Sequence, residues 1–184
     1  MKWLGAGMLA VIVLAAVLAP VLGKHAPTEQ PYREFALDGP SAQHWLGVDG
    51  AGRDVLTRML YGARVTLGIA LGATLLAVAG GVVLGAAAAT WRGWFDAVVT
   101  HVVDFLLAFP SILLGLVVLT VMKPSPVSVT IAVGISNLPA IVRQVRAAFF
   151  AESAKQYVLA ARAVGAGQWR VAVVEILPNC GALI

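Results

Sequence analysis

Between Trp3 and Leu22, and again between Val65 and Thr90, the sequence runs without a single Asp, Glu, Lys or Arg. About 20 apolar residues in a helix cover the hydrocarbon of a bilayer. Backbone inside that hydrocarbon must satisfy its own hydrogen bonds, which leaves helices as the economical solution. A third apolar stretch, Ala97 to Met122, is interrupted by His101, Asp104 and Pro110, and a fourth, Val127 to Val142, by Asn137 and Pro139. Composition agrees: 60% of the 184 residues are hydrophobic, 12% are charged, and the mean hydropathy is +0.88. The expected fold is an all-α, polytopic membrane helical bundle of about four spans. The run Ile176 to Ile184 is too short to cross and reads as the start of a fifth.

The 13 Lys and Arg are spread along the chain and form no run of five, so the pI of about 9.6 reads as membrane flanking and no nucleic-acid partner is expected. The single cysteine, Cys180, excludes an intrachain disulfide framework.

The chain reads as three regions. Residues 1–22 read as an N-terminal transmembrane anchor. A cleavable signal peptide is the competing reading, disfavoured because the apolar stretch exceeds the roughly 7 to 15 residues of a signal core and Pro20 follows Ala19. Residues 23–64, with five basic and five acidic residues plus Pro27, Pro31 and Pro40, read as an external aqueous loop. The loop ends in a helix over Arg53 to Arg64 that lies along the interface, with Val55, Leu56, Met59, Leu60 and Ala63 on one face. Gly50 and Gly52 before it permit a tight turn, while His25 and His44 are expected to be solvated. Residues 65–184 read as a core transmembrane domain. With the N-terminus inside, seven of the 13 Lys and Arg are cytoplasmic (Lys2, Arg92, Arg143, Arg146, Lys155, Arg162, Arg170), against six outside.

Within the core, Gly68/Gly72 and Gly81/Gly85 are two small-xxx-small pairs, a spacing that lets another helix backbone come close; the alternative is that Gly is simply common in membrane helices. Trp91 to Asp96 reads as an interfacial connector. Asp104 at mid-span would cost about 2.5 to 3.5 kcal/mol on insertion scales. Either it faces protein or, as favoured here, Ala97 to Asp104 lies at the interface and Phe105 to Met122 crosses. His101 and Asp104 share a helix face, but two side chains do not complete a metal site, so an interfacial ion pair or cap is expected and no metal is assigned. Without a Gly-x-x-x-x-Gly-Lys-Ser/Thr sequence, ATP binding is not expected in this chain, and no nucleophile elbow or paired carboxylates mark a catalytic residue.

The run Ser41 to Arg64, SAQHWLGVDGAGRDVLTRMLYGAR, closely resembles one in permease subunits of the dipeptide, oligopeptide and nickel ABC importer family. Leu18-Ala19-Pro20-Val21-Leu22 resembles the Ala-Pro-rich end of that family's first span, and Asp104 to Ser111, DFLLAFPS, its third-span signature. Arg143-Gln144-Val145-Arg146, then Tyr157 to Ala166, YVLAARAVGA, and Leu177-Pro178-Asn179 are similar to its cytoplasmic EAA loop, here 143–175, and the Leu-Pro that closes it. Leu159 stands where the family has the EAA glutamate.

The resemblance implies a permease subunit of a type I ABC importer in a bacterial-type inner membrane, forming part of the pathway for peptides or a related small solute such as nickel. It implies as partners a second permease subunit, two ABC ATPase subunits that hold ATP and Mg, and an external solute-binding protein, with no cofactor in this chain. It also implies an ATPase-coupling segment at Tyr157, Ala160, Ala161, Arg162, Ala163, Val164, Gly165, Ala166 and Gly167, for which an ordinary amphipathic cytoplasmic helix is the competing reading. Family members continue through two further spans, so a C-terminally truncated and nonfunctional permease is one alternative. A secondary transporter or channel subunit and an intramembrane enzyme using His101 and Asp104 are others.

Overall fold

A computed structural model describes residues 2–23 and 25–180. Gly181 to Ile184, the rest of the expected fifth-span start, lie outside the described residues. The chain divides into two compact units, Met1–Ala70 and Leu71–Ile184.

In the first unit, α1 (Lys2–Val17) passes into a short α2 (Ala19–Leu22). Pro20 interrupts the pattern, but the Leu18 N–H still reaches the Leu14 carbonyl at 2.9 Å and the Leu22 N–H that of Leu18 at 2.9 Å. With 16 residues, α1 is shorter than the length expected of a span. The loop then folds back on itself. Gly52, at φ +77°, lies so close to Arg33 that a Cβ would come within 2.7 Å of its backbone nitrogen, and Gly47, at φ +82°, approaches the Asp38 carbonyl as closely, so both demand glycine. Gly47, not Gly50, is the second strained glycine of this turn.

Helix α3 (Val55–Thr90) begins here, with the Asp54 carboxylate accepting the Thr57 N–H at 2.7 Å as an N-terminal cap. It runs unbroken for 36 residues. The interfacial helix expected over Arg53 to Arg64 is therefore the first turns of the span itself, and the expected boundary between Arg64 and Val65 falls inside a continuous helix. The amphipathic pattern was real, but nothing between Ala63 and Thr66 stops a helix.

The second unit is built on α3 and α6 (Pro126–Ser153). Pro126 occupies the first turn of α6, and Ser125 and Ser128 cap it reciprocally through N–H to hydroxyl bonds of 3.0 and 2.9 Å. The sequence places a break at Asn137 and Pro139; the helix continues through both to Ser153. Polar side chains there are satisfied internally, with the Ser136 hydroxyl donating to the Ala132 carbonyl at 2.7 Å and the Asn137 amide to Val133 at 2.8 Å.

Glycines bring the two helices together. A Cβ on Gly72 would meet Thr130, one on Gly81 would sit 2.7 Å from the Ile141 Cβ, and one on Gly85 would sit 2.9 Å from the Val142 carbonyl oxygen and the Val145 Cβ. From the other side, Gly134 faces Ala73 and Leu76. Residue numbers rise together along this seam, so α3 and α6 run parallel. A Cβ on Gly68 would meet nothing within 4 Å, so that position is not part of the close approach.

Between them, α4 (Trp94–Ala108) and α5 (Ser111–Val121) are bent by 96°. Pro110 has no N–H to give and drives Phe109 into extended backbone at φ −92°, ψ 140°. The break therefore falls at Phe109–Pro110, whereas the charge of Asp104 placed it five residues earlier in the sequence. Among the described residues two helices, α3 and α6, are long and apolar enough to cross a membrane, and the bent pair counts as a third if it is one span, against the expected four.

Candidate functional site

At their C-terminal ends α3 and α6 share an apolar core with the chain beyond Ser153. Ala89, Ala148, Phe149, Val158, Val171, Ala172, Ile176 and Cys180 are all buried there. Out of this core projects α7 (Gln156–Ala163), reached by a two-residue turn after Ser153. Val158 is completely buried and pins the underside of the helix.

A polar clamp fixes its first turn. The Glu152 carboxylate, 2% exposed, accepts from Lys155 Nζ at 2.6 Å on one oxygen and from the Tyr157 hydroxyl at 2.8 Å on the other. Burial, with the Glu152 carboxylate beside it, pushes the Tyr157 phenol up to about 12, so it remains a donor.

The other end is fixed by backbone alone. Gly165, at φ +87°, lets its N–H reach the Arg162 carbonyl at 3.0 Å while the Ala166 N–H reaches that of Ala161 at 3.0 Å. This pair of bonds is the Schellman arrangement, in which a left-handed residue satisfies the last carbonyls of a helix. Its apolar closure comes from Ala161 and Ala166, both packed on the core. A helix of eight residues is too short to persist by propensity, so clamp, core and C-cap hold it.

Residues of the expected coupling segment thus separate into two sets. Tyr157, Ala161 and Ala166 turn inward and position the helix, with Arg162 on the wall of a cavity beside the ends of α3 and α6, while Ala160, Ala163, Val164, Gly165 and Gly167 face outward. Leu159, in place of a glutamate, is 54% exposed and Val164 87%. The outward face is therefore small and apolar. After Gly167, α8 (Gln168–Arg170) leads into a π-helical segment (Val171–Ile176) and α9 (Leu177–Cys180).

Sequence reasoning did not find the Glu152 clamp. Its i,i+3 spacing to Lys155 was a readable signal, but Tyr157 is reached across the turn. A second unforeseen link joins Asp96 at the start of α4 to Arg146 on α6, with Arg146 Nε and Nη2 donating to the two carboxylate oxygens at 2.5 and 2.8 Å. Such a bidentate pair fixes the angle of both groups. Asp104, for which with His101 an interfacial ion pair or cap was expected, lines a cavity of about 190 Å³ together with Arg143 and Arg146. No cluster of three or more His, Cys, Asp or Glu that would suit a metal exists among the described residues.

In the first unit, His44 is 5% exposed and bonded to the Ser41 hydroxyl at 3.2 Å, so it is buried where solvation was expected. Asp49, farther along the same loop, accepts the N–H groups of Ala51 (2.9 Å) and Arg53 (3.1 Å) and pairs with the guanidiniums of Arg53 (2.8 Å) and Arg58. Burial opposes ionisation, yet these donors together hold the carboxyl well below the usual carboxylate range.

Residues 81–183 match the family described as binding-protein-dependent transport system inner membrane component. Among curated relatives, a dipeptide transport system permease protein of Alkalihalophilus pseudofirmus is 37% identical over 169 residues, covering 91% of this chain and 55% of the relative. A di/tripeptide transport system permease protein of Pseudomonas aeruginosa is 37% identical over 177 residues, covering 93% and 58%. A glutathione transport system permease protein of Pectobacterium atrosepticum is 38% identical over 142 residues, covering 77% and 47%. The chain spans roughly half the length of the curated relatives it matches.

Proposed function

This chain belongs to the binding-protein-dependent transport system inner membrane components, and we propose that it acts as a permease subunit of an ATP-driven importer of short peptides, with α7 as the element that receives the motor's movement. The observation that carries the reading is a short helix gripped at both ends yet bare on its outer face. A movement imposed on a loosely tethered segment would dissipate in local unfolding. Imposed on α7, it passes through Glu152, Val158 and the alanines into the shared end of α3 and α6.

The partners are inferred from this role. A cleft on one of two ATPase subunits would take the outward face, the ATPases would hold ATP and Mg, and a second permease subunit would complete the pathway. An external solute-binding protein would deliver solute on the side of the folded loop 25–54. The peptide class rests on the names of the relatives, which include dipeptide, di/tripeptide and glutathione permeases.

Replacing Gly165 tests the assignment. A β-branched residue at φ +87° costs about 1–2 kcal/mol or more in backbone strain and opens the C-cap, whereas Asn tolerates this conformation. In membranes carrying all subunits, Gly165→Val is expected to lower ATP-dependent dipeptide uptake about tenfold at unchanged insertion, and Gly165→Asn to restore most of it. Normal uptake by Gly165→Val would remove α7 from the transmission path.

A further inference from the structure

At the end where α3 and α6 meet α7, a cavity of about 460 Å³ opens between Thr90, Trp91, Arg92, Ser153, Arg162 and Gln168. Its walls carry two guanidiniums and no carboxylate. Among the described residues neither Arg92 nor Arg162 forms an ion pair, the acids nearby being taken: Asp96 by Arg146, and Glu152 by Lys155 and Tyr157. Arg92 also lies over the Phe150 ring at 5.3 Å, which directs its cationic head.

A second groove, of about 210 Å³, adjoins this cavity and shares Thr90, Trp91, Phe149 and Ala172 with it. Its remaining walls are Val82, Val83, Ala86, Ala87, Trp169, Val173 and Leu177, with no charged side chain. Val82 to Ala87 lie within the apolar body of α3, in the last turns before its end at Thr90. A basic chamber at the end of a span thus shares a wall with an apolar slot running back along the span.

A soluble anion would use the chamber and leave the slot empty; a neutral lipid would use the slot and leave two cations unmatched. The geometry points to one amphiphile, an anionic phospholipid with its phosphate between Arg92 and Arg162 and an acyl chain against Val82, Val83 and Ala86. Trp91, in the wall common to both, stands at the headgroup level where indole is most at home. Arg162 belongs to α7, so the bound headgroup ties the projecting helix to the bilayer surface. The inference rests on the chain's place in the membrane and not on the transport reading, and its test involves no uptake.

The test is lipid retention by native mass spectrometry of the protein purified with whatever subunits accompany it, using dioleoylphosphatidylglycerol, dioleoylphosphatidylcholine and inorganic phosphate as probes. Phosphatidylglycerol is expected to be retained about tenfold over phosphatidylcholine, since each basic residue near an anionic surface adds an appreciable attraction. The double variant Arg92→Gln/Arg162→Gln should abolish that preference, and Val83→Trp, which fills the slot without altering charge, should lower retention of both lipids. Unchanged helical circular dichroism checks that the variants are folded. Equal retention of the two lipids, or a preference untouched by the arginine variant, would overturn the proposal. So would displacement by millimolar inorganic phosphate, which would mark a free-anion site, and so would absence of any lipid adduct, which would mean that polypeptide covers the groove.

Discussion

Glu152 is the residue on which α7 depends most, because its buried carboxylate holds two donors of the first turn at once, one on each oxygen. Glu152→Ala is expected to raise the proteolytic cleavage rate of the 153–167 segment several-fold, as Lys155 and Tyr157 lose their common acceptor. Tyr157→Phe removes one of the two bonds and should give an intermediate effect. Because the Tyr157 phenol is raised by burial and by the carboxylate, its contribution is complete below the ordinary tyrosine range and is lost only as pH rises through about 12. Absorbance titration of tyrosinate should therefore show an ionisation near 12 that Tyr157→Phe abolishes. Asp49 has the opposite sign. Its carboxyl is depressed, so the stability it confers is present above the unfolded value of about 4 and is lost as pH falls below it. Protection factors of amides 49–58, with the intrinsic pH dependence of exchange divided out, should be constant from pH 7 to about 5 and fall below about 4, and Asp49→Asn should show lower protection at pH 7 and lose that acid step.

The parallel seam of α3 and α6 makes a sharper statement about elements. Gly85→Ala places a methyl group 2.9 Å from a backbone oxygen, which cannot move independently of its helix. Overpacking of this kind costs about 1–3 kcal/mol, whereas Gly68→Ala meets nothing and should be neutral or slightly stabilising through helix propensity. Thermal unfolding of the two variants in detergent compares them directly, and equal effects would contradict the seam. Much of this was legible in the sequence, since uncharged runs and Gly-xxx-Gly spacing are local patterns. The Gly81/Gly85 pair is readable for that reason, whereas Gly68 is indistinguishable from it without knowing which face meets α6. The bend at Phe109–Pro110 was equally written in the chain, but Asp104 drew the boundary too early because its charge was weighed without its neighbours Arg143 and Arg146 on another helix. Asp96 and Arg146, 50 positions apart, could be joined only by the fold.

At the scale of the whole molecule, the second unit is a pair of parallel spans whose common end carries a small, rigidly held helix. A short helix ending at a left-handed glycine was readable over Ala160 to Gly165, because helix propensity and a glycine cap are local properties. What supports it was not readable, because Val158, Glu152 and the π-helical Val171–Ile176 act through tertiary burial. His44 was misread for the same reason: nothing local tells a loop histidine that it will be covered. The membership in a family of inner-membrane transport components agrees with the two apolar helices long enough to cross a bilayer. Cysteine cross-linking tests the central claim most directly. In membranes containing every subunit, Ala163→Cys in a Cys180→Ser background should cross-link to an ATPase subunit, in a yield that changes between ATP-bound and nucleotide-free states. An Ala163→Cys that reacts freely with water-soluble maleimide in both states, and cross-links to no ATPase, would contradict the account.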